Sequence, residues 1–364
     1  MNTHRKLNFS AGPSVLPEEV LQQASDAIVD YNNGGLSILE ISHRGKEFAA
    51  ILEESKLLVK ELCELNDDYE LLWQHGGGRL QFCMIPMNFL GPVDLAGYID
   101  SDHWAEEAMG YAAHYGNVQV LASSKANGYT HLPHWPADIP KHLAYVHCTT
   151  NNTIYGTQLN EIPKCDVPLI ADMSSDIFCS KRDYTRCAMF YAAAQKNFGP
   201  AGVALAAIRK DMLGRIKRDL PPMLNYAANV KENSILNTAN VFAIYTCLLM
   251  LRWIKAKGIE AIEKDNRIKA QLLYKEIERN SLFEPVVKNK ADRSIMNVCF
   301  AAINQEDEST FITFCDQNNI TGIKGHRFTG GFRVSLYNAV TINSVETLIN
   351  LMKEFEETVI RKRA

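Results

Sequence analysis

The sequence lacks any marked excess of charge of one sign. Its 364 residues include 38 Lys and Arg against 42 Asp and Glu, which gives a formal net charge of −4. A basic face that could follow a nucleic-acid backbone is therefore not indicated. The closing cluster of Arg361, Lys362 and Arg363 is typical of a solvated helix end. We predict a protein that acts on small molecules and binds no nucleic acid.

A cysteine framework is also missing. The nine cysteines are single residues, and the two nearest along the chain, Cys179 and Cys187, are too far apart for a CxxC motif. This spacing excludes the common redox and zinc motifs and predicts reduced cysteines. His131, His134 and His142 lack the spacing of metal ligands, so we predict no metal site.

Long apolar runs are absent as well. The most lipid-like stretch, residues 241–254, is too short to cross a bilayer and contains Thr246 and Arg252. The first residues, MNTHRKLNFSAGP, have neither the apolar segment nor the cleavage site of a signal peptide. We therefore expect a soluble, cytoplasmic protein with no membrane association.

What the sequence does contain is the alternation of strands and helices that is typical of an α/β protein. Such alternation favours a mostly parallel sheet that helices cover on both faces. Apolar runs predict strands at residues 69–73, 96–100, 118–122, 143–148, 168–172, 189–192 and 203–208. Helical spacing predicts helices that begin near Pro17, at residues 45–65 and at 80–90.

The pattern changes after Pro221 and Pro222. Two long helices are predicted there, at residues 240–257 and 259–280, followed by strands at 296–302 and 332–337 and a final helix. The length of the chain exceeds what one hydrophobic core usually serves. We predict a large domain over residues 16–258 and a smaller α+β domain over residues 259–364, joined by the N-terminal segment 1–15.

A glycine-rich turn, His75-Gly76-Gly77-Gly78-Arg79, separates a predicted strand from a predicted helix. Such a turn directs backbone N–H groups and the positive end of the helix dipole at one point, which suits a phosphate or carboxylate. The sequence has no G-x-S-x-G nucleophile motif and neither of the common nucleotide-binding glycine motifs. The turn by itself therefore indicates an anion site or a purely structural turn.

Lys196 and Asp172, taken together, suit one specific chemistry, although a lysine alone is most often a solvated surface residue and an aspartate at a strand end could equally cap a helix. Lys196 lies between an Ala-rich strand and a Gly-Pro-Ala-Gly turn, and Asp172 ends an apolar strand. Ligands of α/β sheets bind at the carboxyl ends of the strands, where both residues are expected. Enzymes that use pyridoxal phosphate (PLP) need a lysine for the imine and a carboxylate that keeps the pyridine nitrogen protonated.

Two His-Arg pairs lie in glycine-flanked segments. They are His43-Arg44 and His326-Arg327, and Arg333 opens a predicted strand shortly after the second pair. Each could be ordinary surface charge. Together they suit a substrate with two anionic groups, because guanidinium groups bind carboxylate and phosphate in a bidentate manner.

These motifs, in this order along nearly the whole chain, resemble the phosphoserine aminotransferases, dimeric fold-type I PLP enzymes of the class V aminotransferase family. The resemblance depends on the following segments: NFSAGP at residues 8–13, SHRGKEF at 42–48, HGGGR at 75–79, AQKNFGPAG at 194–202, Asn237-Thr238, KGHR at 324–327 and RVSLYNA at 333–339. It implies a homodimer that transfers an amino group between glutamate and 3-phosphohydroxypyruvate in serine biosynthesis, giving phosphoserine and 2-oxoglutarate. Some relatives also act in pyridoxine biosynthesis.

The resemblance also implies a role for each matching residue. Lys196 would be the Schiff-base lysine and proton carrier, Asp172 the partner of the pyridine nitrogen, and Trp104 the ring that stacks on it. Thr153 would bind the cofactor hydroxyl, and Arg333 the substrate α-carboxylate. The cofactor phosphate would be held by Gly78, Arg79, Gln195 and, from the partner subunit, Asn237 and Thr238. The distal anion of the substrate would be bound by His43, Arg44, His326 and Arg327.

Three positions depart from the family pattern: Ala11, Asn152 and Ala239. Each could change substrate affinity without removing a catalytic group. The alternatives are another class V enzyme, of the alanine–glyoxylate aminotransferase or cysteine desulfurase type, and a PLP-fold binding module without catalysis. The basic pairs argue against a small neutral substrate. A desulfurase would need a reactive loop cysteine, and nothing marks Cys179 or Cys187 as one.

Overall fold

A computed structural model describes residues 5–215 and 217–363. Its strands are β1 (Leu7–Asn8), β2 (Tyr69–His75), β3 (Leu95–Asp100), β4 (Asn117–Ser123), β5 (Val146–Thr149), β6 (Asn151–Asn152), β7 (Thr157–Gln158), β8 (Leu169–Asp172), β9 (Met189–Ala193), β10 (Val203–Arg209), β11 (Phe283–Pro285), β12 (Asn297–Ala302), β13 (Ile320–Thr321) and β14 (Phe332–Ser335). Its helices are α1 (Glu18–Val29), α2 (Lys46–Leu62), α3 (Gly78–Phe89), α4 (His103–Ala112), α5 (Lys210–Leu213), α6 (Tyr226–Lys231), α7 (Val241–Lys257), α8 (Ile259–Arg279), α9 (Glu306–Gln317) and α10 (Ile342–Arg363).

The central sheet has seven strands in the order β2-β10-β9-β8-β5-β3-β4. Strand β10 alone is antiparallel to its neighbours, and the other pairs in the sheet are parallel. The predicted mostly parallel α/β sheet is therefore confirmed. Because parallel strands end at the same edge, the carboxyl ends of β3, β5, β8 and β9 lie together.

Helices cover both faces of this sheet, as the near-continuous apolar strands require. On one face, Phe48 of α2 and Leu248 of α7 pack in a cluster with Leu71 and Trp73 of β2. On the other face, Leu72 packs in a cluster with α3 and α4. Successive residues of a strand point to opposite faces, so β2 contributes to both clusters.

A second core lies under the three-stranded antiparallel sheet β11-β12-β14. Phe283, Phe300 and Phe332 meet there at ring distances of 4.8–5.5 Å. The N-terminal strand β1 pairs with β13, and Phe9 joins this core. We propose that the domains divide near Gly258, as the sequence predicts. In support, helix α8 begins against the first core through Ile262 and then packs into the second core.

Two predicted strands are shorter in the structure. The run at 143–148 becomes a strand only at Val146, because Leu143 N–H bonds to Pro140 O in a turn. The strand predicted at 332–337 ends at Ser335. The carbonyl groups of Leu336 and Tyr337 do not pair with another strand of the described residues, because they accept hydrogen bonds from Lys269 Nζ at 2.8 and 2.9 Å. The other predicted strands and the helices agree with the structure within a few residues.

We also searched the described residues for membrane-spanning helices, metal-binding groups and disulfides. Among the described residues, no helix has both the length and the apolar character to cross a bilayer. Over the same ranges, no group of three or more His, Cys, Asp and Glu side chains is placed to hold a metal ion. All nine cysteines fall in these ranges as free thiols.

Candidate active site

A cavity of about 360 Å³ opens at the carboxyl edge of the central sheet. Its walls come from the first turns of α3 and α4, the ends of β5 and β8, and the segment after β9. Seven of the predicted site residues line it: Gly78, Arg79, Trp104, Thr153, Asp172, Gln195 and Lys196. The other lining residues are Gly77, Phe82, Thr149, Asn151, Ser174, Ser175 and Ala193. The folding of one chain thus brings seven of the nine residues of the predicted cofactor site to one cavity.

The glycine turn forms one end of this cavity. Gly76 has a φ of +83°, a backbone conformation that side chains disfavour, and Gly78 begins α3. The N-cap residue, Gly77, has no side chain, and no side chain of residues 5–215 or 217–363 caps this helix, so its first N–H groups can bind a ligand. This arrangement suits an anion such as a phosphate.

Lys196 faces the cavity from the segment after β9. Its Nζ donates to Thr153 Oγ1 at 3.1 Å. Burial lowers the pKa of Lys196, and the carboxyl groups of Asp172 and Asp102 oppose this shift. A lysine whose pKa is lowered is neutral, and therefore nucleophilic, over a wider pH range.

The backbone around Lys196 is held by distant segments. Ser14 N–H donates to Gln195 O at 2.9 Å, and Ser14 Oγ donates to Lys196 O. On the other side, Asn197 Oδ1 accepts the N–H of Asn338 at 3.0 Å. Gly199 allows close packing on α7, because a Cβ there would lie 2.3 Å from Cys247 Sγ. These contacts fix the direction of the lysine side chain.

Asp172 ends β8 and is 6% exposed. Its Oδ1 accepts Ser174 N–H at 2.8 Å, which orients the carboxylate toward the cavity that both residues line. Behind it lies Tyr191, whose pKa is raised by burial and by the Asp172 carboxylate. The Tyr191 hydroxyl also lies 3.0 Å from His147 Nε2, and burial lowers the pKa of His147 to about 3. Tyr191 and His147, both kept neutral by burial, therefore lie behind the Asp172 carboxyl group.

Asp102 is a site residue that the sequence predictions missed. It is fully buried, and its Oδ1 accepts the N–H groups of Trp104 and Ala105 at 2.8 and 3.0 Å, which caps α4. Burial raises its pKa to about 7, although Lys196 acts in the opposite direction. Its Oδ2 and the Trp104 Nε1 have no hydrogen-bond partner within the described residues. Its position directly after a strand was the available signal, as it was for Asp172.

The basic residues divide into two groups. Arg333 adjoins the cavity through Thr153, whose carbonyl accepts its Nη1–H at 3.4 Å. His326 lies close by, since Arg333, His103 and Arg327 all contribute to the lowering of its pKa, after burial. Neither Arg333 nor the His326-Arg327 pair lines the cavity itself. His43 and Arg44, like the predicted phosphate ligands Asn237 and Thr238, also do not line it in the single chain. Arg44 Nε instead donates to His43 Nε2 at 3.2 Å.

None of the three departures from the family pattern is among the residues that line the cavity. Asn152 is fully buried, accepts Ser101 Oγ–H at 2.9 Å and donates to Thr157 Oγ1 at 2.7 Å. Ala11 contributes its carbonyl to the Tyr337 hydroxyl at 3.0 Å, a contact that any side chain at residue 11 permits. Ala239 is buried.

Comparison with known proteins identifies the family. The sequence profile described as Aminotransferase class-V matches residues 6–348. The chain belongs to the class-V aminotransferases. Among curated members, the phosphoserine aminotransferase of Flavobacterium johnsoniae is 46% identical over 357 residues, which is 98% of this chain and 100% of that protein. That of Phocaeicola vulgatus is 45% identical over 97% of this chain and 99% of its own.

Solved class-V aminotransferases have the same fold. The phosphoserine aminotransferase from Bacillus circulans subsp. alkalophilus superposes with a TM-score of 0.95 at 39% identity, covering 98% of this chain and 99% of that one. The PLP-bound enzyme from Trichomonas vaginalis gives a TM-score of 0.91 at 33% identity, covering 96% and 100%. The predicted resemblance, the fold-type I architecture and the aminotransferase class are confirmed.

Pyridoxal phosphate is the cofactor that this family membership implies, and the cavity fits it. Trp104, which lines the cavity, has a buried Nε1 without a partner among the described residues, and so has Asp102, close to Lys196 and Asp172, at its Oδ2. A lysine, a carboxylate and a free helix N-terminus meet at the same cavity. These are the three groups that a PLP aldehyde, pyridine nitrogen and phosphate require.

Proposed function

We propose that the chain is a phosphoserine aminotransferase. It would transfer an amino group reversibly between glutamate and 3-phosphohydroxypyruvate, giving phosphoserine and 2-oxoglutarate. The observation that carries this proposal is the meeting of Lys196 and Asp172 in one cavity with Arg333 and the His326-Arg327 loop beside it. Serine biosynthesis is the proposed role, and cytoplasm the proposed location.

The cofactor would be held by the residues that line the cavity. Asp172 would meet the pyridine nitrogen, Trp104 the ring face, Thr153 the hydroxyl, and Lys196 the aldehyde. Because Glu107 engages the Arg79 guanidinium at 2.7 and 3.2 Å, we assign the phosphate to the backbone N–H groups of Gly78 and Arg79 and to Gln195. Bound PLP supplies an electron sink for the charge that develops at the substrate Cα.

The chain's own groups then move the proton and hold the substrate. Lys196 Nζ would take the proton from the substrate Cα and deliver it to the cofactor's C4′, since burial favours the neutral form of the amine. Arg333 binds the α-carboxylate and keeps the reacting amine in register. His326 and Arg327, with His43 and Arg44, bind the distal anion, which is a phosphate in one substrate and a carboxylate in the other.

The alternative activities fit this site less well. A cysteine desulfurase needs an accessible, acidic thiol, whereas Cys179 and Cys187 are fully buried and burial raises the pKa of both. An alanine–glyoxylate type enzyme has no use for basic groups beyond Arg333. A binding module without catalysis would not need Lys196 and Asp172 together.

The substrate assignment predicts a selective spectral change. Phosphoserine and glutamate should abolish the visible absorption band of the bound cofactor, whereas alanine should leave it unchanged over the same time. The reason is that only the first two present both an α-carboxylate and a distal anion to the basic residues. Stopped-flow absorbance of the holoenzyme measures this. An equal response to alanine would disprove the proposed specificity, and a protein that takes up no PLP would disprove the proposed enzyme.

We also propose a homodimer in which Asn237 and Thr238 complete the partner's cofactor site. Both residues are exposed in the single chain and lie before α7. Sedimentation velocity of the holoenzyme should give one species of about twice the 40.9 kDa chain mass. A fully active species of the chain mass would contradict this proposal.

A further inference from the structure

The loop that carries His326 and Arg327 projects from a narrow neck. Gly325 N–H donates to Gly331 O at 2.8 Å, and at the base of the loop Lys324 and Phe332 form an isolated antiparallel β-bridge. A Cβ on Gly325 would lie 1.9 Å from Gly330 O, so the two sides of the neck are in direct backbone contact. At the tip, the N–H groups of Thr329 and Gly330 bond to His326 O. The loop therefore has a defined internal shape, and what remains to be fixed is its direction.

Phe328 lies at the tip of this loop and is 51% exposed. Its ring meets the ring of His103 edge-on at 4.7 Å and lies 4.8 Å from the ring of His326. The Arg327 guanidinium lies over it at 4.9 Å. His103 belongs to α4 on the central sheet, whereas Phe328 belongs to the loop before β14. The contact between them therefore joins the two halves of the molecule beside the cavity.

His103 is itself held in place. Its ring lies 5.3 Å from that of Trp104, and its Nε2 lies 3.7 Å from Glu107 Oε2. Glu107 also binds Arg79, whose guanidinium lies 5.2 Å above the Trp104 ring. These four side chains, Arg79, His103, Trp104 and Glu107, form a surface that we call the α4 platform. Two of them, Arg79 and Trp104, line the cavity.

The loop brings positively charged groups close to Arg333, so a contact that does not depend on charge would help to hold it in position. His326, Arg327 and Arg333 carry or can carry positive charge, and their proximity, with that of His103, contributes to lowering the pKa of His326. Like charges repel, so in the absence of an anionic substrate the charge of Arg327, and that of His326 when protonated, opposes the approach of this loop to Arg333. An aromatic contact does not depend on charge and can oppose this repulsion.

We propose that Phe328 is a positioning residue, and that its contact with His103 on the α4 platform holds His326 and Arg327 where the distal anion of the substrate binds. The proposal rests on the proposed function for the identity of that anion. It differs from the assignment of the basic residues themselves, since Phe328 offers no group that could bind an anion. Preorganised loops gain affinity because less ordering is left for the moment of binding.

The test compares Phe328→Ala with Phe328→Tyr, which keeps the ring. In Phe328→Ala, we expect KM for phosphoserine and for glutamate to rise about three- to tenfold, the effect of losing one aromatic contact, with kcat within about twofold of wild type. Phe328→Tyr should keep both KM values. His103→Ala should behave like Phe328→Ala, and His103→Phe like wild type, because the edge-on contact needs a ring at residue 103. Since Phe328 is half exposed, the thermal midpoint should be unchanged.

Limited trypsin digestion of the holoenzyme gives a second readout that needs no turnover. Cleavage after Arg327, followed by mass spectrometry, should be several-fold faster in Phe328→Ala than in wild type and unchanged in Phe328→Tyr. Unchanged cleavage in Phe328→Ala would overturn the docking contact. Faster cleavage with unchanged KM would overturn its role in substrate binding. If wild type fails to turn over phosphoserine, the proposed function fails, while the cleavage comparison still decides the docking.

Discussion

Lys196→Ala should lose amino transfer almost completely while the protein remains folded. The Nζ of Lys196 is the one amine among the residues lining the cavity, so its removal takes away both the group that binds the cofactor aldehyde and the base at the substrate Cα. Loss of the proton transfer alone corresponds to a fall in kcat of about 10²- to 10⁴-fold. Single-turnover absorbance with phosphoserine measures the rate. Borohydride reduction followed by mass spectrometry should fix the cofactor to wild type and not to the variant.

Lys56→Ala is a matched control for this experiment. Burial lowers the pKa of Lys56 to about 8, and its Nζ donates to Asn233 Oδ1 at 2.7 Å, away from the cavity. A low amine pKa alone therefore does not distinguish a catalytic lysine. We expect Lys56→Ala to retain full activity and Lys196→Ala to retain none. If the alanine variant at residue 196 kept a tenth of the wild-type kcat, the assignment of Lys196 would be wrong.

The position of Lys196 and Asp172 could be predicted because it follows from local sequence and one rule of topology. Each follows an apolar strand, and parallel strands place their carboxyl ends at one edge. The glycine turn was predictable for the same reason, since it joins β2 to α3 at that edge. Chemistry then narrowed the interpretation, because few cofactors need both a lysine and a carboxylate.

Asp102 was harder to predict because its position at the start of α4 and its raised pKa have different causes. As the N-cap of α4 it has an ordinary structural role. Its raised pKa, however, arises from burial under the completed cavity wall and from the proximity of Asp172, far away along the chain. The contacts of Ser14 with Gln195 and of Asn197 with Asn338 are long-range in the same way. The periodicity of apolar residues in the sequence does not predict such long-range contacts.

Seven predicted residues do not line the cavity, and four of them, which are distant from it in the single chain, show a different limit of prediction from sequence. His43, Arg44, Asn237 and Thr238 lie on exposed segments of the chain, and no rule of local structure directs them to the site. Their roles came from the resemblance to the family, and they stay predictions. A second subunit would have to supply whichever of them acts in the cavity, so their assignment depends on the proposed dimer.

Asp172→Asn should show the second largest loss of activity, because it removes a charge and leaves the shape of the site nearly unchanged. An asparagine Oδ1 can still accept Ser174 N–H, so the side chain should keep its orientation. An amide cannot hold a proton on a pyridine nitrogen, and losing an adjacent opposite charge shifts a pKa by about 1–3 units, which corresponds to a fall in kcat of about 10- to 10³-fold.

Asp172→Asn should also change the pKa of Lys196, and this change can be measured without turnover. The Asp172 carboxylate raises the pKa of Lys196 against the effect of burial, so its removal should lower that pKa further. The neutral amine then persists to lower pH, and the pH profile for the rate of PLP uptake by the apoenzyme should move to lower pH. Asp172→Glu keeps the charge and should leave this profile near that of wild type while still reducing kcat. An unchanged profile in Asp172→Asn would show that the carboxylate does not act on Lys196.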